Sequence, residues 1–270
     1  MGYANILVSV DLGEAAPDRV KLAAGLARRF EATLTGAAAE TVPAPLLVHD
    51  IYDAARQEED NAAKVREALT EAGTVFNANL GEGLRTDWRP ALAGPVTHLV
   101  DLARAADLVV VGRHGADDDA PRQFDVPPGP VLMEAGRPVL VVPPRIENLK
   151  GSRVVVAWKD GPPARRAVSA ALPFLRNADH VHVVTTGSDA RLQGGEEVAA
   201  HLARHGASVA THFLRAVDTD GAEILRFAQM HDADLLVMGA YGHSRLREWV
   251  LGGVTREILQ RSPICSLMCH

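Results

Sequence analysis

Short apolar runs alternate with longer stretches of helical periodicity along nearly the whole chain. In the first half the runs at 5–10, 33–39, 107–112 and 138–142 are predicted strands, with a weaker one at 84–88, and helices are expected at 14–30, 53–72 and 95–105. In the second half strands at 153–158, 180–185, 207–213, 234–238 and 264–268 alternate with helices at 163–176, 191–205, 220–231 and 244–261. Apolar strands separated by helices predict a parallel sheet covered on both faces, because parallel neighbours need crossover connections. The expected fold class is therefore α/β, with each half a small doubly wound domain.

The chain is written twice. Ala106-Asp107-Leu108-Val109-Val110-Val111-Gly112 recurs 127 positions later as Ala233-Asp234-Leu235-Leu236-Val237-Met238-Gly239, and the match runs on through Gly115 and Gly242. The run 6–13 recurs as 154–161, and 137–142 recurs as 262–267. The first of these is shifted by 148 positions, so the N-terminal half carries 21 more residues between its first strand and its glycine loop. We place them at 41–60, a stretch with two prolines and an acidic run. The segment 143–151 reads as a short linker, which divides the chain into domains at 1–147 and 150–270.

The most informative motif opens after the apolar run Leu235-Leu236-Val237. Gly239, Gly242 and Gly252 form a G-x2-G-x9-G pattern, followed by Gly253, Val254 and Thr255. A glycine loop that leaves the carboxyl end of a buried strand and enters helical sequence presents backbone N–H groups to an anion. This pattern, with 233–237 before it and 261–264 after it, resembles the phosphate loop of the universal stress protein family. The resemblance implies two tandem domains, each a five-stranded parallel sheet of order 3-2-1-4-5, paired within the chain through their last strands, with further homodimerisation open. It also implies a stress-linked protective or regulatory role and an ATP- or AMP-type ligand in the crevice between strands one and four. Family members that bind ATP place an acidic residue at the end of strand one, backbone groups at the end of strand two and the glycine loop against ribose and phosphates.

Carried over to this chain, Gly239, Gly242 and Gly252 match the three glycines, and Thr186 falls at the end of strand two. Gly253 stands where the family usually has Ser or Thr, and Lys159 stands where the acidic residue belongs, with Asp160 one position late. His243, directly after Gly242, is a candidate phosphate or ribose contact, or else a local cap of the following helix. The N-terminal half keeps Asp11, Gly112 and Gly115 but continues as Asp117-Asp118-Asp119, so its nucleotide loop is expected to be degenerate and its role structural.

At 270 residues and 47% apolar, the chain can bury a substantial core, and 4% aromatic content suits helices packed closely on a parallel sheet. A formal charge of −6 argues against nucleic acid as a partner. No apolar run is long enough to span a bilayer and the first residues lack a basic signal region, so a cytoplasmic location is expected. The only cysteines, Cys265 and Cys269, fit reduced thiols in that compartment. No Walker loop, nucleophile elbow or zinc helix is present, and the helical pair His201 and His205 reads as a solvated face, so no metal and no catalytic residue is assigned. A ligand-free interaction module and a slow ATP hydrolase or autophosphorylating enzyme stand as alternatives.

Overall fold

The computed structural model describes residues 2–45, 51–115, 118, 124–187, 189–215, 218–241 and 253–270. The first half runs β1 (Asn5–Ser9), α1 (Ala16–Phe30), β2 (Thr33–Ala39), α2 (Ile51–Ala78), β3 (Arg85–Ala91), α3 (Pro95–Ala103), β4 (Leu108–Gly112), α4 (Pro128–Glu134) and β5 (Val139–Val142). The second runs β6 (Arg153–Ala157), α5 (Pro162–Leu175), β7 (His180–Thr186), a 3-10 turn (Ala190–Leu192), α6 (Gly195–Arg204), β8 (Val209–Leu214), α7 (Asp220–Met230), β9 (Leu235–Gly239), α8 (Gly253–Arg261) and β10 (Cys265–Cys269).

All ten strands form one sheet of order β3-β2-β1-β4-β5-β10-β9-β6-β7-β8. Each half thus has the order 3-2-1-4-5 in its own numbering, and every pair within a half is parallel. The halves meet where β5 and β10 pair antiparallel, with Val141 opposite Ser266 and Val139 opposite Met268.

Strand residues alternate between the two faces, as a period of two requires. Ile6, Val8, Val110, Val154, Val156 and Val237 join α1, α2, α5 and α6 in one buried cluster. Leu7, Val109, Val111, Val155 and Leu236 join α3, α4, α7 and α8 in the other. Both clusters run across the seam, so the halves share two continuous hydrophobic layers.

Two elements depart from the sequence reading. α4 was not predicted, because a seven-residue helix beginning Pro128-Gly129-Pro130 offers too little periodicity to register. The additional length of the first half lies chiefly in a longer helix rather than a loop: α2 has 28 residues where α6 has 10. Residues 51–60 of the expected insertion form its first turns, and 46–50 lie outside the described residues.

Candidate functional site

In a doubly wound sheet the ligand crevice lies beyond the carboxyl ends of the strands where the order reverses, here between β1 and β4 and between β6 and β9. The two crevices have opposite chemistry.

In the first half, Arg19 of α1 fills the space. Its Nε donates to the Ser9 carbonyl at 2.9 Å and its Nη2 to the Asp11 carboxylate, with the Arg19 side chain only 4% exposed. Asp11 also accepts the Gly13 N–H at 2.8 Å. A Cβ on Gly112 would stand 2.7 Å from Arg19 Nη1, so the glycine that ends β4 makes room for the guanidinium. The acid at the end of strand one is thus neutralised internally.

The loop after β4 is also committed. Arg113 Nε donates to Asp118 Oδ2 at 2.9 Å, Gly115 N–H donates to the same oxygen at 2.6 Å, and Arg113 Nη1 reaches across to the Ser262 carbonyl at 2.8 Å. Burial alone would raise the Asp118 carboxyl, but the Arg113 guanidinium and the Gly115 N–H outweigh it and hold the group below the ordinary carboxylate value. A carboxylate of the chain itself occupies the loop's donors. Asp117 and Asp119 lie outside the described residues.

In the second half, the position 148 beyond Arg19 is Ala167, buried in α5, and the arginine that reaches the end of β6 is the exposed Arg165 of the first turn. Lys159 and Asp160 follow β6 and are exposed. Asp160 is held by Arg165, whose Nη2 lies 2.8 and 2.9 Å from its two oxygens. Gln193 was not anticipated from the sequence and carries no motif. Its carbonyl accepts Trp158 Nε1–H at 2.6 Å, and its side chain accepts the Asp160 N–H at 3.3 Å, so the chain after β7 is tied to the end of β6. Thr186 ends β7 and is half-buried. The neighbouring Thr185 hydroxyl is buried and has no hydrogen-bond partner among the described residues.

Gly239 ends β9 against the start of α5, where a Cβ would lie 2.5 Å from Ala164 N and 2.8 Å from the Pro163 carbonyl carbon. The first glycine of the motif therefore has a packing requirement of its own. Tyr241, at φ 58°, turns its ring toward the seam, edge-on to His270, and its buried hydroxyl comes within 3.4 Å of the place a Cβ on Gly129 would take. Burial pushes that phenol up to about 12. The loop itself, with Gly242, His243 and Gly252, lies outside the described residues.

Beyond the loop, Gly253 opens α8 with no described residue within 4 Å of a would-be Cβ, and Val254 packs partly against the second cluster. Thr255 is buried, and its Oγ1 accepts the Tyr241 N–H at 3.5 Å, joining the two ends of the loop. Lys159, Asp160, Gly239 and Gly253 thus gather at the carboxyl ends of the second half's strands, whereas Thr255 is buried.

This arrangement defines a doubly wound α/β protein with one crevice closed by its own side chains and one flanked by a glycine loop. Residues 151–270 match the model of the universal stress protein family. Universal stress protein Slr1230 of Synechocystis sp. is 26% identical over 175 residues, covering 62% of this chain and 58% of the relative, less than two thirds of its length. A universal stress protein from Archaeoglobus fulgidus DSM 4304 superposes with a TM-score of 0.72 at 17% identity, covering 98% of this chain and 97% of the other. A putative universal stress protein from Pseudomonas aeruginosa UCBPP-PA14 gives 0.59 at 19% identity, covering 98% and 92%. At these identities the two structures speak for the fold of the whole chain. Among the described residues, no helix is long and apolar enough to cross a membrane.

Proposed function

We propose that this chain is a stress-response protein of the universal stress protein family and that it binds an adenine nucleotide, ATP or AMP, in its second half only, with the phosphates against Gly239, Gly242, His243, Gly252, Gly253 and Val254 and the base near Lys159, Asp160 and Thr186. The observation that carries this reading is the difference between the crevices: Arg19 and Asp118 satisfy the first from within by buried pairs, while the second has Ala167 in place of Arg19 and only the exposed Arg165–Asp160 pair. The free N–H groups and positive dipole end at the start of α8 suit an anion. Thr255 supports the loop by tying its ends rather than by touching the ligand. The halves act as domains 1–147 and 150–270, the first serving as scaffold, in a cytoplasmic protein whose two thiols are free and buried. Association into a homodimer belongs to the same reading and is measured by sedimentation equilibrium.

Titration calorimetry with ATP, ADP and AMP tests the site. The wild type binds one equivalent, and Gly252→Asp abolishes the heat by placing a carboxylate against the phosphates. Gly253→Ser, with no described residue within 4 Å of the added Cβ, tightens binding by one hydrogen bond, about 0.5–1.5 kcal/mol or roughly two- to twelvefold. No heat from the wild type overturns the proposal. Recovery of binding by Lys159→Asp would then identify a family member whose ligand site has been lost, working as a ligand-free interaction module.

A further inference from the structure

At the sheet edge farthest from the seam, three imidazoles gather over Phe227. His182 projects from β7, His212 from the edge strand β8, and His231 caps the C-terminus of α7. His182 Nδ1 lies 3.0 Å from His212 Nε2, so one ring nitrogen carries a hydrogen and the other offers its lone pair to it. The His231 ring centroid is 4.5 Å from that of His182 and 5.7 Å from that of His212. Phe227 forms the floor, with centroids 5.6, 4.8 and 4.2 Å from His182, His212 and His231.

All three side chains are half-buried, which leaves the cluster reachable from solvent. Among the described residues no carboxylate forms an ion pair with any of them. Desolvation, followed by the neighbouring His231, His212 and His180, brings His182 down to about 4, and desolvation with His231 lowers His212 as well. A hydrogen bond between two imidazole nitrogens requires that at least one ring be neutral, the form in which imidazole donates a lone pair to a metal.

We propose that His182 and His212 form a two-imidazole chelate for a divalent transition-metal ion, Cu2+ or Ni2+, at the outer edge of the second half. Metal–nitrogen bonds of about 2.0–2.1 Å to two nitrogens 3.0 Å apart give a bite angle of about 95°. That angle suits the cis positions of a square-planar or tetragonal ion. On binding, the hydrogen now shared between Nδ1 and Nε2 moves through solvent to the outer nitrogen of its own ring, so both imidazoles stay neutral, and the two rings tilt so that their lone pairs turn from each other toward the ion. No three His, Cys, Asp or Glu side chains converge on one ion position among the described residues, so water completes the coordination and His231 lines the site.

The test uses the full chain without a polyhistidine tag, carrying His201→Ala and His205→Ala. Those two rings lie 4.7 Å apart on α6 and would chelate independently. Calorimetry with Ni2+ should show one equivalent, weakened at least tenfold by either His182→Phe or His212→Phe and less than twofold by His180→Ala. Each Phe variant keeps the aromatic packing, and unchanged near-ultraviolet circular dichroism establishes that it is folded. With Cu2+, electron paramagnetic resonance should show superhyperfine coupling to two imidazole nitrogens in the parent and one in either Phe variant. Absence of stoichiometric Ni2+ binding, or equal affinity in the parent and both folded Phe variants, overturns the proposal.

Discussion

Arg19 and Ala167 occupy equivalent positions in the two halves, and that difference puts a buried guanidinium on Asp11 in one crevice where the other has the exposed Arg165–Asp160 pair. Arg19 is buried and paired with Asp11, so breaking the pair from one side leaves an uncompensated carboxylate. Arg19→Met should therefore destabilise the protein by about 3–5 kcal/mol in denaturant unfolding. The double variant Arg19→Met/Asp11→Asn should recover most of that loss, because it removes the stranded charge while keeping an acceptor for the Gly13 N–H. A double variant as unstable as the single one would show that the guanidinium matters for packing alone. Gly239 illustrates the other side of reading single residues. Its place in the motif was visible in the sequence, but the pressure of Ala164 and Pro163 on it depends on how α5 lies across β9.

At the level of elements, strands were legible to within two residues in most cases because period-two burial on a covered sheet leaves long apolar runs. The exception was β3, an edge strand of mixed polarity whose signal at 84–88 marks only part of Arg85–Ala91. Helix α2 was predicted to start near its observed N-terminus and to end six residues early. Its last turns are fixed by tertiary contacts: Phe76 stacks on Trp88 at 5.4 Å and lies over Gly36, where a Cβ would come within 2.6 Å of the ring. Phe76→Ala should cost about 3–5 kcal/mol in chemical unfolding, since the emptied space lies between α2, β2 and β3. A loss under about 1 kcal/mol would mean that α2 is not anchored there.

On the scale of the whole molecule, the antiparallel seam between β5 and β10 makes one ten-stranded sheet from two repeats. The seam is reinforced on both faces. On one, Tyr3 donates to the Ala170 carbonyl at 2.6 Å, and Tyr3, Phe30 and Phe174 cluster with centroids 5.0–6.0 Å apart. On the other, Arg113 donates to the Ser262 carbonyl. Such continuity should make the wild type unfold in a single calorimetric transition. Val141→Pro, at the centre of the seam strand, removes a ladder donor that a central strand needs and should split that transition in two. Two transitions already present in the wild type would show that the halves fold independently.

The sequence by itself determined the element types, the parallel wiring, the repeat and the glycine loop that marks the second half as the nucleotide candidate. These depend on local periodicity and on short motifs, which a chain displays before it folds. The tertiary structure alone decided that Arg19 fills the first crevice, that Asp118 satisfies its own loop, that Gln193 ties down the end of β6 and that His182 meets His212. Those contacts join residues 8, 3, 35 and 30 positions apart, and all but the Asp118 turn span separate elements. Their geometry is set by strand register and helix packing, and side-chain patterning along the chain carries no trace of either.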